Sequence, residues 1–486
     1  MRRHSFLIFN FSLLIVFFAC TPKTAEQQFV DDALRAVGGR DRIEKVKTIA
    51  IEGTGVNYNL GQDMKPDAST QQFAISGYLR KIEVAQGKQR VEQTRTPKFL
   101  YFQGPQAQTQ ILGLDGDVAF NVNPQGAAAR LQPQPENDRR LEFIHHPITA
   151  LRAATAPGTT IASVRNVGSV RQADFAFRDR KWTMTIDATG VPLSISSKID
   201  QPNLGDVTMT TTFGSYDDVN GLKLPTKITG KIDDFTTYEI TATKQFVDPD
   251  IGAIAAPQIV VNPVAPVAPN VTVEPVGKGV WFLAGQSHHS VLVEFSDHLM
   301  LIEAPQSEAR TLAVIAKAKE TVKNKPLTQL VTSHHHFDHT AGMRAAIAEG
   351  MMVITQSGNK EWVEAMAKRP HTIQPDRLQK NVSRLYVETV DEEKEIKDNA
   401  MTVQLFHVAG NPHSDTMLMA YIPSLRVIVE ADAFSPGGPY QPYATNLLEN
   451  IQKRNLRVDR IVPLHGTIAK FADLVKAGTA TTEEKK

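Results

Sequence analysis

The sequence has a single cysteine, Cys20, among its 486 residues. One cysteine excludes an intramolecular disulfide framework and a thiolate-rich metal site, so histidine and carboxylate must hold any metal. The chain also has almost no net charge, because 52 Asp and Glu residues balance its 53 Lys and Arg residues. Nucleic-acid binders that rely on a basic surface need an excess of cations. The composition therefore argues against a nucleic-acid partner.

Long apolar runs are absent after the first twenty residues. The chain starts with Arg2-Arg3, continues with an apolar run from Phe6 to Ala19 and reaches Cys20. This run is shorter than the ~20 residues of a membrane-spanning helix and is typical of a secretory signal peptide. Residues 1–20 also resemble a bacterial lipoprotein signal, in which Cys20 is lipidated. We therefore expect a periplasmic or membrane-anchored lipoprotein; a cleaved signal without lipid and an uncleaved anchor are the alternatives.

The chain is long enough to form two domains. Residues 24–247 begin with a helical segment, 25–46, that Gly38-Gly39 interrupts. They continue as β-rich sequence, including Thr48–Tyr58 and the hairpin signal Asn220-Gly221, with one helical patch at Asp138–Thr155. Prolines then recur through residues 248–275 and predict an extended linker. Residues 276–486 alternate strands with helices, which predicts an α/β layered domain.

The densest group of potential metal-ligating side chains lies in one heptapeptide, residues 333–339. It follows a predicted strand, Leu327–Thr332, and opens a predicted helix, Thr340–Glu349. A turn at a strand end can direct His334 and His336 toward one metal while Asp338 and His339 face a second. Imidazole nitrogen and carboxylate oxygen are ligands that zinc accepts.

Three further candidate ligands lie downstream, namely His413, Asp432 and His465. Each comes at or just past the end of a predicted strand; these strands are Val403–Val408, Arg426–Ala431 and Arg460–Leu464. Open α/β sheets bind their ligands outside the carboxyl ends of strands. The shared position therefore predicts that all three belong to one site with the heptapeptide.

With these residues, the segment from Val276 to Leu474 resembles the metallo-β-lactamase superfamily. The resemblance implies an αββα sandwich with a dinuclear site and two Zn²⁺ ions per chain. His334, His336 and His413 would bind the first ion; Asp338, His339 and His465 would bind the second. It also implies that Asp432 bridges the ions, that Asp338 is catalytic, and that Glu303 orients a ligand histidine.

The resemblance implies an exported hydrolase in which water activated by two zinc ions attacks an ester, lactone, thioester or β-lactam-like carbonyl. His289, Tyr440 and Tyr443 are the predicted substrate contacts. A mononuclear-iron oxygenase using part of the same ligands is the alternative. Residues 45–247, with the phrase Tyr216 to Pro225, resemble periplasmic lipoprotein-carrier half-barrels. That resemblance implies a binding module for hydrophobic ligands, and the alternative there is a structural or docking domain.

Overall fold

The computed structural model describes residues 22–66, 71–262, 268–438 and 440–479. The predicted signal peptide and Cys20 lie outside the described residues, so export and lipidation stay predictions. No helix in the described part of the chain is long and apolar enough to cross a membrane.

The N-terminal domain begins with two helices and is otherwise dominated by one sheet. The predicted helix 25–46 is interrupted at Gly38-Gly39, where both residues have positive φ angles. The elements are α1 Ala25–Val37, α2 Arg40–Lys45, β1 Thr48–Tyr58, β2 Gln72–Glu83, β3 Lys88–Pro97, β4 Gln108–Asp115, β5 Val118–Val122, β6 Ala128–Arg130, α3 Pro133–Ile144, α4 Pro147–Ala154, β7 Thr160–Val167, β8 Val170–Phe177, β9 Arg180–Ile186, β10 Pro192–Gln201, β11 Gly205–Val219, β12 Leu222–Ile232, β13 Phe235–Val247 and α5 Gln258–Val261.

Thirteen antiparallel strands form this sheet in the order β6-β5-β4-β3-β2-β1-β13-β12-β11-β10-β9-β8-β7. Two meanders, β1 to β6 and β7 to β13, therefore meet where β1 pairs with β13. The predicted helical patch Asp138–Thr155 is instead two helices, α3 and α4. The break comes at His145-His146, because Pro147 opens a new helix and disfavours helical backbone in the residue before it.

The core of this domain lies between one face of the sheet and the helices. Phe29 and Leu34 of α1 and Leu151 of α4 pack with buried strand residues such as Ile49 and Phe213. Helices therefore cover much of the apolar face on which a hydrophobic ligand would have to bind. The resemblance to lipoprotein carriers stays a prediction.

The segment predicted as a linker is partly ordered against the N-terminal sheet. Ile251 and Ile254 are buried with Ala50, and the Ala256 N–H donates to Asp115. At its other end, strand β14 begins at Thr272, inside the range 248–275. The segment predicted as an extended, proline-rich linker therefore packs in part against the N-terminal domain.

The C-terminal domain alternates strands and helices as predicted. Its elements are β14 Thr272–Gly277, β15 Val280–Ala284, β16 Ser290–Glu294, β17 Leu299–Ile302, α6 Glu308–Thr321, β18 Leu327–Val331, α7 Phe337–Thr340, α8 Met343–Ala348, β19 Met352–Gln356, a 3₁₀ turn Ser357–Asn359, α9 Lys360–Lys368, α10 Arg377–Lys380, β20 Val387–Val390, β21 Glu393–Lys397, β22 Thr402–His407, β23 Leu418–Ile422, β24 Val427–Glu430, α11 Ala444–Lys453, β25 Arg460–Pro463, β26 Ala469–Lys470 and α12 Phe471–Thr479.

Two mixed sheets form the centre of this domain. Strands β14 to β20 make one sheet in sequence order, and strands β21 to β26 make the other. Buried side chains such as Val293 and Val429 fill the space between the sheets. Helices α6, α8 and α9 cover the first sheet, and α11 and α12 cover the second. This layering confirms the predicted αββα sandwich.

Candidate metal centre

Strand ends bring the predicted ligands together. His334 and His336 follow β18, His413 lies in the loop between β22 and β23, Asp432 follows β24, and His465 follows β25. The helix predicted over Thr340–Glu349 is instead two short helices. The first, α7, begins at Phe337 and so carries Asp338 and His339 on its opening turn.

The first group of metal-ligating atoms belongs to His334, His336, His413 and Asp432, and these atoms all lie within 4.8 Å of one another. His334 and His336 are fully buried. His334 Nε2 and His336 Nδ1 have no hydrogen-bond partner among the described residues. Burying a ring nitrogen without a hydrogen-bond partner costs free energy of folding unless the nitrogen binds an ion instead. This arrangement therefore fits a metal.

The second group contains one residue more than predicted. Asp338, His339 and His465 are joined by His288, again with all ligand atoms within 4.8 Å. His288 Nε2 lies 3.0 Å from Asp338 Oδ2, and His339 Nε2 lies 3.2 Å from His465 Nε2. Two atoms bound to one zinc ion at ~2.0–2.2 Å lie about 3.0–3.5 Å apart, so these separations suit a common ion.

Asp432 lies between the two groups. Its Oδ2 is 3.0 Å from His413 Nε2 and 2.9 Å from His339 Nε2, while its Oδ1 is 2.9 Å from His465 Nε2. One carboxylate thus reaches ligands of both groups, which is the placement that a bridging ligand needs. The φ angle of Asp432 is +61°, a backbone conformation that is rare for residues other than glycine and recurs at functional sites.

Glu430 supports this unusual turn. Its buried carboxylate accepts hydrogen bonds from the N–H groups of Ala433 and Phe434, directly after Asp432. Burial, together with the nearby charge of Asp432, raises the pKa of Glu430 well above its usual range. Glu430 thereby holds the backbone that presents Asp432.

Hydrogen bonds from the opposite ring nitrogens fix the orientation of three ligand histidines. His339 Nδ1 contacts Glu303 Oε2 at 2.8 Å, His465 Nδ1 contacts the Ser287 carbonyl at 3.0 Å, and His336 Nε2 contacts the Asp63 carbonyl at 2.8 Å. Each of these oxygens can only accept, so each of these ring nitrogens donates. In its neutral form, which a metal ligand must adopt, each ring then directs the lone pair of its other nitrogen into the site.

Glu303 organises the interior side of the centre. Besides His339, it accepts hydrogen bonds from the Ser333 hydroxyl at 2.6 Å and the Ser333 N–H at 3.1 Å. The Ser333 hydroxyl in turn lies 2.9 Å from His334 Nδ1. Glu303 therefore orients one ligand of each group, one directly and one through Ser333.

The pKa values of the buried ligand histidines do not all shift in the same direction. Burial, helped by the neighbouring His339, lowers the pKa of His334 to about 3, and burial lowers the pKa of His336 well below its usual range. Burial also acts against a charge on His339, but Asp432, Asp338 and Glu303 outweigh it and raise the pKa of His339 well above its usual range. The neutral imidazoles of His334 and His336 in the first group and the carboxylates around the second group suit divalent cations.

Residues 284–465 match the family model of the metallo-beta-lactamase superfamily. The C-terminal domain has the metallo-β-lactamase fold. The chain is also similar to DIM-1 metallo-beta-lactamase, with 15% identity over 43% of this chain and 96% of that chain, at a TM-score of 0.35. It is similar to the metallo-beta-lactamase from Pontibacter korlensis, with 15% identity, 43% and 98% coverage and a TM-score of 0.35. The Flv1 flavodiiron core from Synechocystis is similar at 11% identity, 43% and 60% coverage and a TM-score of 0.34.

The candidate metal centre opens to solvent on the side of the second group. The Asp338 side chain is 37% exposed and the His465 side chain 22%, whereas His334 is completely buried. A small molecule can therefore approach next to Asp338 and His465.

The three predicted substrate contacts lie in different places. The Tyr443 ring lies 5.1 Å from the His413 ring, its hydroxyl donates to the Leu100 carbonyl, and the residue is buried, so Tyr443 packs behind His413 and does not face a substrate. Tyr440 lies near the N-terminal domain, where a Cβ on Gly104 would be 3.9 Å from its ring. His289 accepts a hydrogen bond from the Gly285 N–H and packs against Phe282.

The sequence predicted His289, one residue of the adjacent pair His288-His289, as a substrate contact. In the structure, His288 is the residue of this pair that faces the metal ligands. The adjacent histidines were the available signal, and they did not tell which ring turns inward. The Arg310 guanidinium donates to the His288 carbonyl and so contributes to holding the loop before β16. The structure also brings Gln62 of the N-terminal domain to Asp338, a contact across 276 residues of sequence.

Proposed function

We propose that the protein is a dinuclear metal-dependent hydrolase that acts on a small molecule. The observation that carries this proposal is Asp432, whose two carboxylate oxygens reach His339, His413 and His465, and so both ligand groups. A mononuclear site needs no carboxylate between two clusters of ligands. The arrangement therefore favours the hydrolase over the iron oxygenase.

The donor set supports zinc as the metal. Described side chains supply imidazole nitrogens and carboxylate oxygens to both groups. Zinc accepts both ligand types, and two divalent ions held close together lower the pKa of water and polarise a carbonyl or phosphoryl oxygen. We propose two zinc ions per chain, one in each group, with Asp432 contacting both.

The protein's own residues keep this centre assembled. Glu303 holds His339 and, through Ser333, His334 in the tautomers that leave Nε2 free. Asp338 adds a negative charge on the solvent side of the second group. Its own pKa is far below its usual range: burial acts in the other direction, but the charges of His339 and His288 outweigh it. Asp338 therefore stays ionised at neutral pH and is available as a ligand.

The open side of the site lets a small substrate enter beside Asp338 and His465, where its carbonyl oxygen would approach the second group. We propose esters, lactones, thioesters and β-lactam-like amides as the substrate class.

A substrate panel tests this proposal. The zinc-loaded protein is assayed with a lactone, a β-lactam, a thioester and a phosphodiester, before and after treatment with a chelator. We expect turnover of at least one carbonyl substrate, its loss on chelation and its recovery with zinc. Turnover that survives complete metal removal would contradict the proposal. One iron per chain, with oxygen consumption in place of hydrolysis, would favour the oxygenase.

A further inference from the structure

Three consecutive residues of the N-terminal domain, Gly61 to Asp63, contact the metal-binding motif of the other domain, and the next residue, Met64, contacts the loop that follows His413. They belong to the connection between β1 and β2, and we call residues 59–64 the site loop. The Gly61 carbonyl accepts from the Phe337 N–H at 3.0 Å, and the Met64 carbonyl accepts from the Asp415 N–H at 2.9 Å. Gln62 and Asp63, between them, each contact a predicted metal ligand.

Gln62 contacts a ligand of the second group. Its side-chain Nε2 donates to Asp338 Oδ1 at 2.6 Å. The other oxygen, Oδ2, is the one that faces His288 at 3.0 Å and His339 at 3.8 Å. Gln62 therefore occupies one carboxylate oxygen and leaves the second directed toward the metal position.

Asp63 contacts a ligand of the first group through its main chain. His336 Nε2 donates to the Asp63 carbonyl at 2.8 Å, and His336 Nδ1 is the nitrogen without a hydrogen-bond partner in the described chain. The carbonyl thus selects the tautomer in which Nδ1 can bind a metal. Such hydrogen bonds to ligand histidines typically change metal affinity by about 10- to 100-fold.

Phe337 anchors the loop in place. This residue lies between His336 and Asp338 in the motif, and its ring packs into an apolar cluster of the N-terminal domain with Leu60 and Leu204. Gly61 has a φ of +79°, and a Cβ there would lie 2.3 Å from the Phe337 ring. The close approach of loop and motif therefore requires glycine at position 61.

From these contacts we propose that the N-terminal domain is part of the metal centre. Gln62 is a positioning residue for Asp338, and the Asp63 main chain positions His336. The proposal rests on the metal centre of the proposed function but not on the identity of the bond that is cleaved. It assigns the N-terminal domain a role in metal binding.

Cobalt titration of the full-length protein tests the proposal. Metal-free Gln62→Ala, Gln62→Glu and parent are titrated with Co²⁺, and each binding step is followed by its visible absorption. We expect Gln62→Ala to weaken the second binding step by about 10-fold. Gln62→Glu should weaken it more, because a carboxylate would replace the donor beside Asp338. A residue that only fills space would give the opposite order, since glutamate has nearly the shape of glutamine.

Lys65→Ala is the matched control. Lys65 follows the site loop, and its exposed amine lies 3.8 Å from Asp415, an ion pair that contributes little. Both cobalt steps and their absorption should be unchanged in this variant. Gly61→Ala, which must displace the loop from Phe337 and with it both Gln62 and the Asp63 carbonyl, should instead weaken both steps. Thermal unfolding of the metal-free variants checks that they are folded.

The outcomes separate this proposal from the proposed function. Two cobalt ions bound equally well by parent, Gln62→Ala and Gln62→Glu would overturn it and leave the hydrolase intact. A parent that binds two ions and hydrolyses nothing in the panel would contradict the hydrolase alone. A parent that binds no cobalt would overturn both.

Discussion

Asp432 is the residue on which the dinuclear interpretation depends most. It is 17% exposed and lies within 3.3 Å of histidines from both ligand groups. Asparagine in its place would keep the shape and tolerate the positive φ angle, but would remove the negative charge. The substitution therefore changes the metal–ligand chemistry with little change in the backbone.

We expect Asp432→Asn to lose the second metal first and to lower turnover by at least ~10²-fold. Metal content and turnover are measured on the same samples. Asp459→Asn, an exposed ion-pair residue just before strand β25, is the control and should behave as the parent. Two metals per chain and near-parental turnover in Asp432→Asn would remove this residue from the site.

Asp138 predicts a pH dependence of folding that is separate from the metal centre. Burial, with the charges of Glu142 and Asp200, raises its pKa to about 7. Between about pH 4 and pH 7 the folded protein therefore keeps a proton that the unfolded chain has released. Stability must fall as the pH rises through this range, because the folded state binds more protons.

Asp138→Asn mimics the protonated carboxyl at every pH. We expect its free energy of unfolding to equal that of the parent at pH 4 and to exceed it by up to about 4 kcal/mol at pH 8. Urea unfolding at the two pH values measures the difference. Asp234→Asn, on the exposed turn between β12 and β13, is the control. Equal pH profiles for Asp138→Asn and the parent would show that burial does not perturb this carboxyl.

The sequence predicted ligand types better than it predicted the residues that support them. His334, His336, Asp338 and His339 share one heptapeptide, and their spacing alone brings them to one turn. Supporting contacts come from elsewhere in the chain, such as the Ser287 carbonyl on His465, 178 residues away. Local patterns contain no information about such partners, so Gln62, Glu430 and the inward orientation of the His288 ring emerged only from the fold.

Helices α6 and α8 pack closely at the point where the metal-binding motif ends. Gly342 precedes α8, and a Cβ there would lie 1.8 Å from Thr311 Oγ1 and 2.9 Å from the Ser307 carbonyl oxygen. Backbone and a buried side chain border this position, so neither can move freely. Any side chain at position 342 must push α8 away from α6.

We expect Gly342→Ala to lower the free energy of unfolding by about 1–3 kcal/mol, the usual cost of overpacking. Thermal unfolding measures the effect. Gly214→Ala on β11 is the control, since its nearest neighbour atom would be Lys227 Cβ at 3.5 Å, an ordinary contact. A Gly342→Ala variant as stable as the control would show that the two helices are not in close contact here.

Element types were largely predictable, whereas breaks within elements were not. Strand β1 has the predicted bounds because its β-branched and apolar residues recur along an alternating pattern. The helix predicted over Thr340–Glu349 differs because the motif itself begins a helix at Phe337, before a second helix starts at Met343. Metal-binding residues thus occupy a turn whose conformation helix periodicity does not describe.

The two domains form one continuous structure around the site. Besides the site loop, Asp206 accepts hydrogen bonds from the Thr372 N–H and Ile373 N–H, and Tyr443 reaches the Leu100 carbonyl. These pairs are separated by more than 160 residues. Composition and proline spacing predicted two domains and a connection between them, but pairing across the domains depends on side chains that meet only in the folded molecule.

Anomalous X-ray diffraction at the zinc absorption edge, from crystals of the zinc-loaded protein, tests the dinuclear centre most directly. We expect two peaks per chain. The first should lie ~2.0–2.2 Å from His334 Nε2, His336 Nδ1 and His413 Nε2, and the second at a similar distance from Asp338, His339, His465 and His288, with Asp432 between them. A single peak, or peaks away from these residues, would contradict the account.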